Sequence, residues 1–140
     1  MGKYAYLFPL ILTSPPLSRY VYPIYFKLLT REAKMYKVIA VYRVPTDEVA
    51  KAKFEDHYKN VHTPICLKIP GIKELRTNKI FGGPTGASNL SMVAEMCFEN
   101  KDAWKAAMKT PEMMESGKDA MKFAGDLVSV HFAEEIIVKA

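Results

Sequence analysis

Residues 54–64 of this chain read FEDHYKNVHTP. This pattern is typical of the last turns of an amphipathic helix, followed by a proline. The residue before a proline is disfavoured in the helical region, so we expect Thr63 to leave the helix. His62 then lies in the last turn, where its side chain can point into space that the helix no longer fills. This histidine is the first candidate for a functional residue.

The residues before this run predict a buried strand and a helix start. Tyr36–Arg43 is largely apolar on both of its alternating faces, which is typical of a strand covered on two sides. Asp47 can cap a helix that extends to about Val61, because its carboxylate accepts a hydrogen bond from a free amide of the first turn. The apolar stripe of this helix, at i, i+4 spacing, consists of Ala50, Phe54, Tyr58 and Val61 or His62.

The residues after it predict three more strands and two more helices. The strands are expected at Ile72–Phe81, Leu90–Phe98 and Val128–Val138. The helices are expected to follow caps at Asn100 and Thr110. The resulting order βαββαβ, with right-handed crossovers, predicts an α+β fold: a ferredoxin-like, four-stranded antiparallel sheet with helices on one face.

The face of the sheet that these helices leave open is predicted to be apolar. Val93 and Cys97 lie on the opposite side of the third strand from Met92, and the first and fourth strands also look apolar on both sides. A large uncovered apolar face is unusual for a monomer. We therefore expect a homodimer, a dimeric α/β barrel in which two sheets enclose a cavity for a small hydrophobic molecule.

The charge distribution argues against nucleic-acid binding. The net charge is +5, but residues 1–34 hold five Lys or Arg against one acid, and the rest of the chain holds 15 basic and 14 acidic groups. A nucleic-acid surface needs clustered cations. We therefore expect no nucleic-acid partner.

Residues 1–34 differ in composition from residues 35–140, which form the predicted domain. They hold seven aromatic residues and four of the nine prolines. Their apolar run, Tyr4–Leu12, is far shorter than the roughly 20 residues of a membrane span. Three interpretations stay open: an upstream extension with Met35 as the true start, an arm that packs on a partner subunit, or a targeting or membrane-surface segment.

The two cysteines, Cys66 and Cys97, show neither CxxC nor Cys/His metal spacing. They are typical of free thiols in a reducing compartment, so we expect a cytoplasmic protein. No metal and no cofactor are expected.

From Met35 to about Ile137 the chain resembles the EthD family of the dimeric α/β-barrel superfamily. The resemblance rests on a Phe-x3-Tyr-x3-His-x-Pro pattern and on three short motifs: Ile69-Pro70-Gly71, Ala94-Glu95 and Thr110-Pro111-Glu112. It implies a ferredoxin-like protomer, a homodimer and a pocket between sheet and helices. The functions it implies are varied: accessory roles in ethyl tert-butyl ether degradation, with lactone isomerases, polyketide dehydratases or decarboxylases, cofactor-independent monooxygenases and haem degraders among relatives. Fold alone does not choose among them.

Two residues are candidates for catalysis. His62 can act as a general acid or base towards a carbonyl or enol, or it can be a structural histidine that bonds a backbone carbonyl. Glu95 lies mid-strand, where a buried carboxylate needs a partner or a raised pKa. The partners considered for Glu95 are Arg43, a histidine and a backbone amide at the dimer seam.

Four residues are candidates for ligand binding, each of them also consistent with a structural role. Tyr42, Tyr58 and Trp104 can line a pocket or belong to the core, and His131 on the fourth strand can face the cavity. His57 does not match the motif and is expected to be structural or on the surface.

Two classes of function remain after this reasoning. The first is a cofactor-independent enzyme, an isomerase, dehydratase or monooxygenase type, with His62 as acid or base. The second is a non-catalytic accessory or ligand-binding subunit that supports an oxygenase of a degradation pathway.

Overall fold

In a computed structural model, which describes residues 34–139, four antiparallel strands form one sheet in the order β2-β3-β1-β4. The strands are β1 (Tyr36–Arg43), β2 (Ile72–Lys79), β3 (Leu90–Phe98) and β4 (Val128–Glu134). This order is the ferredoxin-like arrangement, so the predicted fold class is confirmed. The last strand ends four residues before the predicted Val138 and β2 two residues before Phe81. The three interpretations of residues 1–34 concern a segment of which residues 1–33 lie outside the described residues.

Three of the helices begin at the predicted caps Asp47, Asn100 and Thr110. The helical segments are α1 (Glu48–His57), a π-helical turn (Tyr58–His62), α2 (Thr63–Cys66), α3 (Lys101–Ala107) and α4 (Pro111–Phe123). The Asp47 carboxylate accepts a hydrogen bond from the Ala50 amide at 2.8 Å, and the Asn100 side chain caps α3 in the same way. None of the helices within residues 34–139 has the length and apolarity to cross a membrane.

The helix does not end before Pro64, so the expectation for Thr63 was wrong. Thr63 has helical angles, φ −56° and ψ −48°, and its N–H donates to the Tyr58 carbonyl, five residues back. In a regular helix the ring of Pro64 would clash with the carbonyl oxygen four residues before it. The π turn widens the helix one residue before Pro64, which relieves this clash. The polypeptide therefore passes from α1 into α2 without a break, and the π turn directs His62 inward.

The helices bury one face of the sheet. One core cluster joins Ala40, Tyr42, Met92 and Ala94 of the sheet to Phe54, Tyr58 and Ala124 of the helical layer. A second cluster joins Val38 and Phe98 of the sheet to Cys66, Ile69, Ala107 and Met113. The sheet residues in both clusters are the even-numbered ones of β1 and β3, as the twofold side-chain period of a strand requires.

The opposite face, which we call the open face, carries the odd-numbered residues of β1 and β3 (Lys37, Ile39, Val41, Val93, Glu95 and Cys97). Its centre is apolar, but Lys37 Nζ bonds to Glu95 at 3.2 Å and also to Glu135. On β4 the same face presents the exposed side chains of Ser129 and His131. The expectation of apolar residues across the whole face is therefore corrected: the apolar patch is central and is bordered by ion pairs and polar groups.

Candidate functional site

His62 lies in the middle of a chain of hydrogen-bonded side chains. Its Nδ1 is 2.8 Å from Asp119 Oδ2, and its Nε2 is 3.3 Å from Cys66 Sγ. Cys66 Sγ is in turn 3.2 Å from Ser116 Oγ. An ionised carboxylate only accepts hydrogen bonds, so the proton lies on Nδ1 and Nε2 carries the lone pair. The array is a carboxylate, an imidazole and a thiol in sequence.

Three helical segments build this array. The π turn supplies His62, and α2 places Cys66 one turn later on the same side of the helix. The long helix α4 supplies Ser116 and Asp119, which share a face because they are three residues apart. His57 also approaches Asp119, with its Nε2 2.9 Å from Oδ1, so one carboxylate binds two imidazoles.

Burial sets the charges of the array. Burial lowers the pKa of His62 below its ordinary 6.5 and outweighs the opposing effect of Asp119. Burial alone would raise the pKa of the Asp119 carboxyl. Hydrogen bonds from His57 and His62 outweigh this effect, so the pKa lies below its ordinary 3.8. Burial raises the pKa of the Cys66 thiol to about 11. At neutral pH the array is therefore an anionic carboxylate, a neutral imidazole and a neutral thiol.

The low pKa of His62 predicts a loss of stability on mild acidification. Below about pH 6.5 the unfolded chain takes up a proton at this histidine that the folded chain does not, so the free energy of unfolding falls, by at most about 1.4 kcal/mol per pH unit from one such group. The stabilising contribution of Asp119 is lost only at lower pH, as the pH falls through its own depressed pKa.

Urea unfolding at pH 7, 6 and 5 measures this dependence. The decline between pH 7 and 5 is expected to be shallower in His62→Gln than in the unsubstituted protein. The matched control is His131→Gln, which removes an exposed histidine and leaves the decline in place. An equally steep decline in His62→Gln would contradict the prediction.

A cavity of about 180 Å³ lies beside the array, between the sheet and the helices. It is lined by the polar residues Tyr42, Tyr58, His62, Cys66 and Ser116, and by apolar side chains that include Met96 and Met113. Its lining also includes Val130 and Phe132 of β4, which are 52% and 62% exposed and therefore border solvent. A cavity of roughly 150 Å³ is enough for benzene, so this one is of the right size for a compound with a single ring.

A second and larger groove, of about 1010 Å³, lies between α1 and the end of β2. It shares Tyr58 with the cavity, but its lining includes none of His62, Cys66, Ser116 and Asp119. Its walls are mixed polar and apolar side chains that reach the surface, such as the exposed Phe81. We place the candidate site in the smaller cavity because the reactive groups lie there.

Only part of the predicted site comes together in one chain. Tyr42, Tyr58 and His62 share the cavity, whereas Glu95 and His131 lie on the open face, on the other side of the sheet. Glu95 pairs with Lys37, which is none of the three partners considered from the sequence, and Arg43 instead donates to the Asp126 carbonyl.

His131 and Trp104, the two remaining candidates for ligand binding, lie away from the array. His131 Nε2 is 3.1 Å from Ser129 Oγ on the surface of β4. Trp104 packs edge-to-face against Phe132, with the ring centroids 5.1 Å apart, and its buried indole nitrogen has no hydrogen-bond partner within the described part of the chain. Roles for Glu95, His131 and Trp104 stay predictions.

Cys66, Ser116 and Asp119 were not predicted from the sequence as neighbours of His62. A signal for Cys66 was present, because it lies four residues after His62 and such pairs face each other on a helix. Asp119 gave no such signal, since an acidic residue on an amphipathic helix usually points to solvent. Among residues 34–139, no three His, Cys, Asp or Glu side chains converge in a way that would hold a metal ion.

Comparison with known proteins adds the family. The sequence model of one protein family, described as the EthD domain, matches residues 46–126, which are more than half of the chain. The chain belongs to the EthD family. The uncharacterized 11.0 kDa protein of the thcB-thcC intergenic region of Rhodococcus erythropolis is 33% identical over 104 residues, which are 72% of this chain and 95% of that protein.

Two solved structures extend this comparison. An EthD family protein from Bacillus halodurans superposes with a TM-score of 0.67 at 41% identity, over 73% of this chain and 99% of that one. A dimeric protein of unknown function from Bacteroides fragilis, with a ferredoxin-like fold, matches at a TM-score of 0.51 and 18% identity, over 74% of this chain and 96% of that one. The second likeness concerns the fold alone. The resemblance noted from the sequence is confirmed.

Proposed function

We propose that this EthD family protein binds a small, mostly apolar carbonyl compound in the cavity and that His62 acts on it as a general base and acid. One observation carries the proposal: Asp119 holds Nδ1–H of His62 at 2.8 Å, which leaves Nε2 unprotonated, with a lone pair that can accept a proton, on a buried residue that lines the cavity. A base of this kind can remove a proton from the carbon next to a carbonyl and return it elsewhere. Isomerisation and dehydration both proceed in this way, and neither needs a cofactor.

The surroundings of the base suit such a ligand. Tyr58 and Tyr42 offer ring faces, and Met96 and Met113 offer adaptable apolar walls. Burial keeps the pKa of His62 low, so the base is in its active, unprotonated form at neutral pH. The exposed Val130 and Phe132 at the rim give an apolar compound a favourable route of entry.

The second candidate function is a non-catalytic ligand-binding or accessory subunit. The observation that favours it is the occupation of Nε2 by the Cys66 thiol at 3.3 Å, in a pair of side chains that are 0% and 3% exposed. In this case the array only stabilises the junction of the π turn with α4, and the cavity holds its ligand without chemistry.

Proton exchange in D₂O separates the two candidates without knowledge of the natural ligand. Cyclohexanone is a one-ring ketone of suitable size, and NMR follows the replacement of its α-protons by deuterium. We expect the unsubstituted protein to accelerate this exchange and His62→Gln to lose the acceleration, by about 100-fold or more as for other general bases. Asp119→Asn should lose most of it because the imidazole is no longer held in one tautomer.

Binding is measured in parallel by saturation-transfer NMR. His131→Gln, which changes a histidine on the open face, should exchange protons like the unsubstituted protein. Binding of the ketone with equal exchange in the unsubstituted protein and in His62→Gln would favour the accessory subunit. The absence of binding would contradict both functions.

We infer further that the protein works as a homodimer joined through the open face, in a reducing compartment such as the cytoplasm. The half-buried patch of Ile39, Val41 and Val93 supports the dimer, as does the dimeric state of the Bacteroides fragilis protein of the same fold. The free thiols of Cys66 and Cys97 support the compartment.

A further inference from the structure

We propose that Cys66 is a nucleophile that accepts an acyl group from a small activated ester, with His62 as its base and Asp119 as the residue that orients the base. The inference rests on the proposed function in one respect, since the ester must enter the same cavity. It goes beyond that function because it assigns a covalent step to a residue that acid–base chemistry at His62 does not require.

The geometry is that of a nucleophile, a base and an orienting carboxylate. Cys66 Sγ is 3.3 Å from His62 Nε2, and His62 Nδ1 is 2.8 Å from Asp119 Oδ2. This arrangement of roles defines activated nucleophiles on many unrelated folds. The lining of the cavity includes Cys66, His62 and Ser116 together.

Ser116 completes the arrangement. Its hydroxyl is buried and lies 3.2 Å from Cys66 Sγ. When sulfur adds to a carbonyl carbon, the resulting oxyanion lies two bonds from the sulfur, within reach of a hydroxyl in this position. Ser116 Oγ–H can therefore donate to the oxyanion, as the donors of an oxyanion hole do.

The step balances without a further reactant. Sγ forms a bond to the carbonyl carbon while its proton passes to His62 Nε2, and the π electrons of the carbonyl move to its oxygen. The tetrahedral intermediate then re-forms the carbonyl and expels the alcohol or phenol oxygen, which takes the proton from His62. The products are a thioester on Cys66 and a free alcohol or phenol.

The neutral state of the pair determines how the thiol must react. With its pKa raised to about 11, Cys66 is a thiol rather than a thiolate at pH 7, so it needs a base that takes its proton during the attack. The ionisable groups that face the pair are Asp119 and His57 on one side and the phenols of Tyr42 and Tyr58 on the other. Of these, the carboxylate is the one hydrogen-bonded to the imidazole.

Cys97 is the matched control within the same chain. It is as buried as Cys66, but it lies on β3 on the open face, and its thiol donates to the Glu95 carbonyl at 3.8 Å. A thiol that is buried only for structural reasons should behave like Cys97. The difference between the two cysteines therefore measures the combined effect of the cavity, the histidine and the carboxylate, and Asp119→Asn measures the effect of the carboxylate.

The test uses 4-nitrophenyl acetate with the full chain at pH 7.5. We expect release of one equivalent of 4-nitrophenolate in a first phase and an acetyl group on Cys66, located by peptide mass mapping so that acetylated lysines are counted separately. The Cys97→Ala variant should keep this phase, and Cys66→Ala should lose it. Acetylation of Cys66 no faster than that of Cys97 would overturn the proposal.

The pH profile of the acylation rate distinguishes the base-assisted route from a free thiol. A free thiol with a pKa near 11 reacts about tenfold faster with each pH unit, because only its thiolate is reactive. The base-assisted route should be nearly independent of pH between 7 and 9, since His62 is already unprotonated there. Asp119→Asn should slow acylation at pH 7.5 at least tenfold and restore the steep profile; a steep profile in the unsubstituted protein would overturn the proposal.

Two further measurements keep this test separate from that of the proposed function. 4-Nitroanisole has the same ring but no acyl group, and its binding by saturation-transfer NMR shows whether the cavity admits the probe. Binding of 4-nitroanisole together with active proton exchange on cyclohexanone, but without acylation of Cys66, would overturn the nucleophile and leave the proposed function standing. A failure of both binding and exchange would overturn the two together.

Discussion

Replacement of Tyr42 by alanine is expected to lower the free energy of unfolding by about 4 kcal/mol. Tyr42 is 1% exposed, in the strand β1 that lies inside the sheet. Its ring meets those of Phe54 and Tyr58 edge-on, with centroids 5.4 and 5.8 Å apart, and stacks on Phe123 at 6.1 Å. The substitution therefore removes a large buried side chain together with three aromatic contacts between the sheet and the helices. Domains of this size are stabilised by about 5–15 kcal/mol, so the loss is a large part of the total.

Urea unfolding followed by circular dichroism measures this effect. The control is Tyr42→Phe, which keeps the ring and all three aromatic contacts and should lose less than about 1.5 kcal/mol, as volume-conserving changes in cores do. Similar losses in the two variants would mean that the hydroxyl, rather than the ring, stabilises this part of the core. A loss below about 1 kcal/mol in Tyr42→Ala would contradict the packing described for β1.

Local sequence signals were enough for most of the fold. Asp47, Asn100 and Thr110 fixed three helix starts, because a capping side chain acts on the backbone within three residues. Short runs of mostly apolar residues predicted the exact bounds of β1 and β3. The π turn was not predicted because a proline usually ends a helix. The energetic gain from burying His62 against α4 is not visible in local sequence.

The site was predictable only in part for the same reason. His62 and Tyr58 could be found from a motif on one helix, but Asp119 comes from α4, 57 residues later, and becomes a partner only when the helices pack. The pairing of Lys37 with Glu95 likewise depends on the register between β1 and β3, in which Lys37 lies opposite Cys97 and Ile39 opposite Glu95. Contacts between elements that are distant in sequence are the part of a structure that periodicity does not specify.

Val93→Asp, a substitution on the open face, is expected to raise the Kd of the proposed homodimer by at least about 100-fold. Val93 lies opposite Val41 on the central strands and is half-buried in the single chain. A carboxylate at this point would be removed from water when two open faces meet, and its cross-strand neighbours in the described part of the chain, Val41 and Asn78, carry no positive charge. A 100-fold change corresponds to about 2.7 kcal/mol, which is modest for the burial of an unpaired charge.

Sedimentation velocity over a range of concentrations measures the change. Val130→Asp is the matched control, because it places the same charge on an exposed valine of the opposite face and should leave the association unchanged. Val93→Thr keeps the shape of the side chain and should weaken the dimer less, which guards against a folding defect in the aspartate variant. An unsubstituted protein that sediments as a monomer at every concentration would contradict the dimer.

The site itself does not depend on that outcome. The cavity, His62, Cys66 and Asp119 are all contributed by one chain, on the side of the sheet that the helices cover. A monomeric Val93→Asp variant should therefore still exchange the α-protons of cyclohexanone at a rate within about threefold of the unsubstituted protein, because ΔΔG effects of distant, uncoupled sites stay within about 0.5 kcal/mol. Loss of exchange together with loss of the dimer would show instead that the partner subunit contributes to the cavity, and would bring Glu95 and His131 back into consideration as groups supplied across the interface.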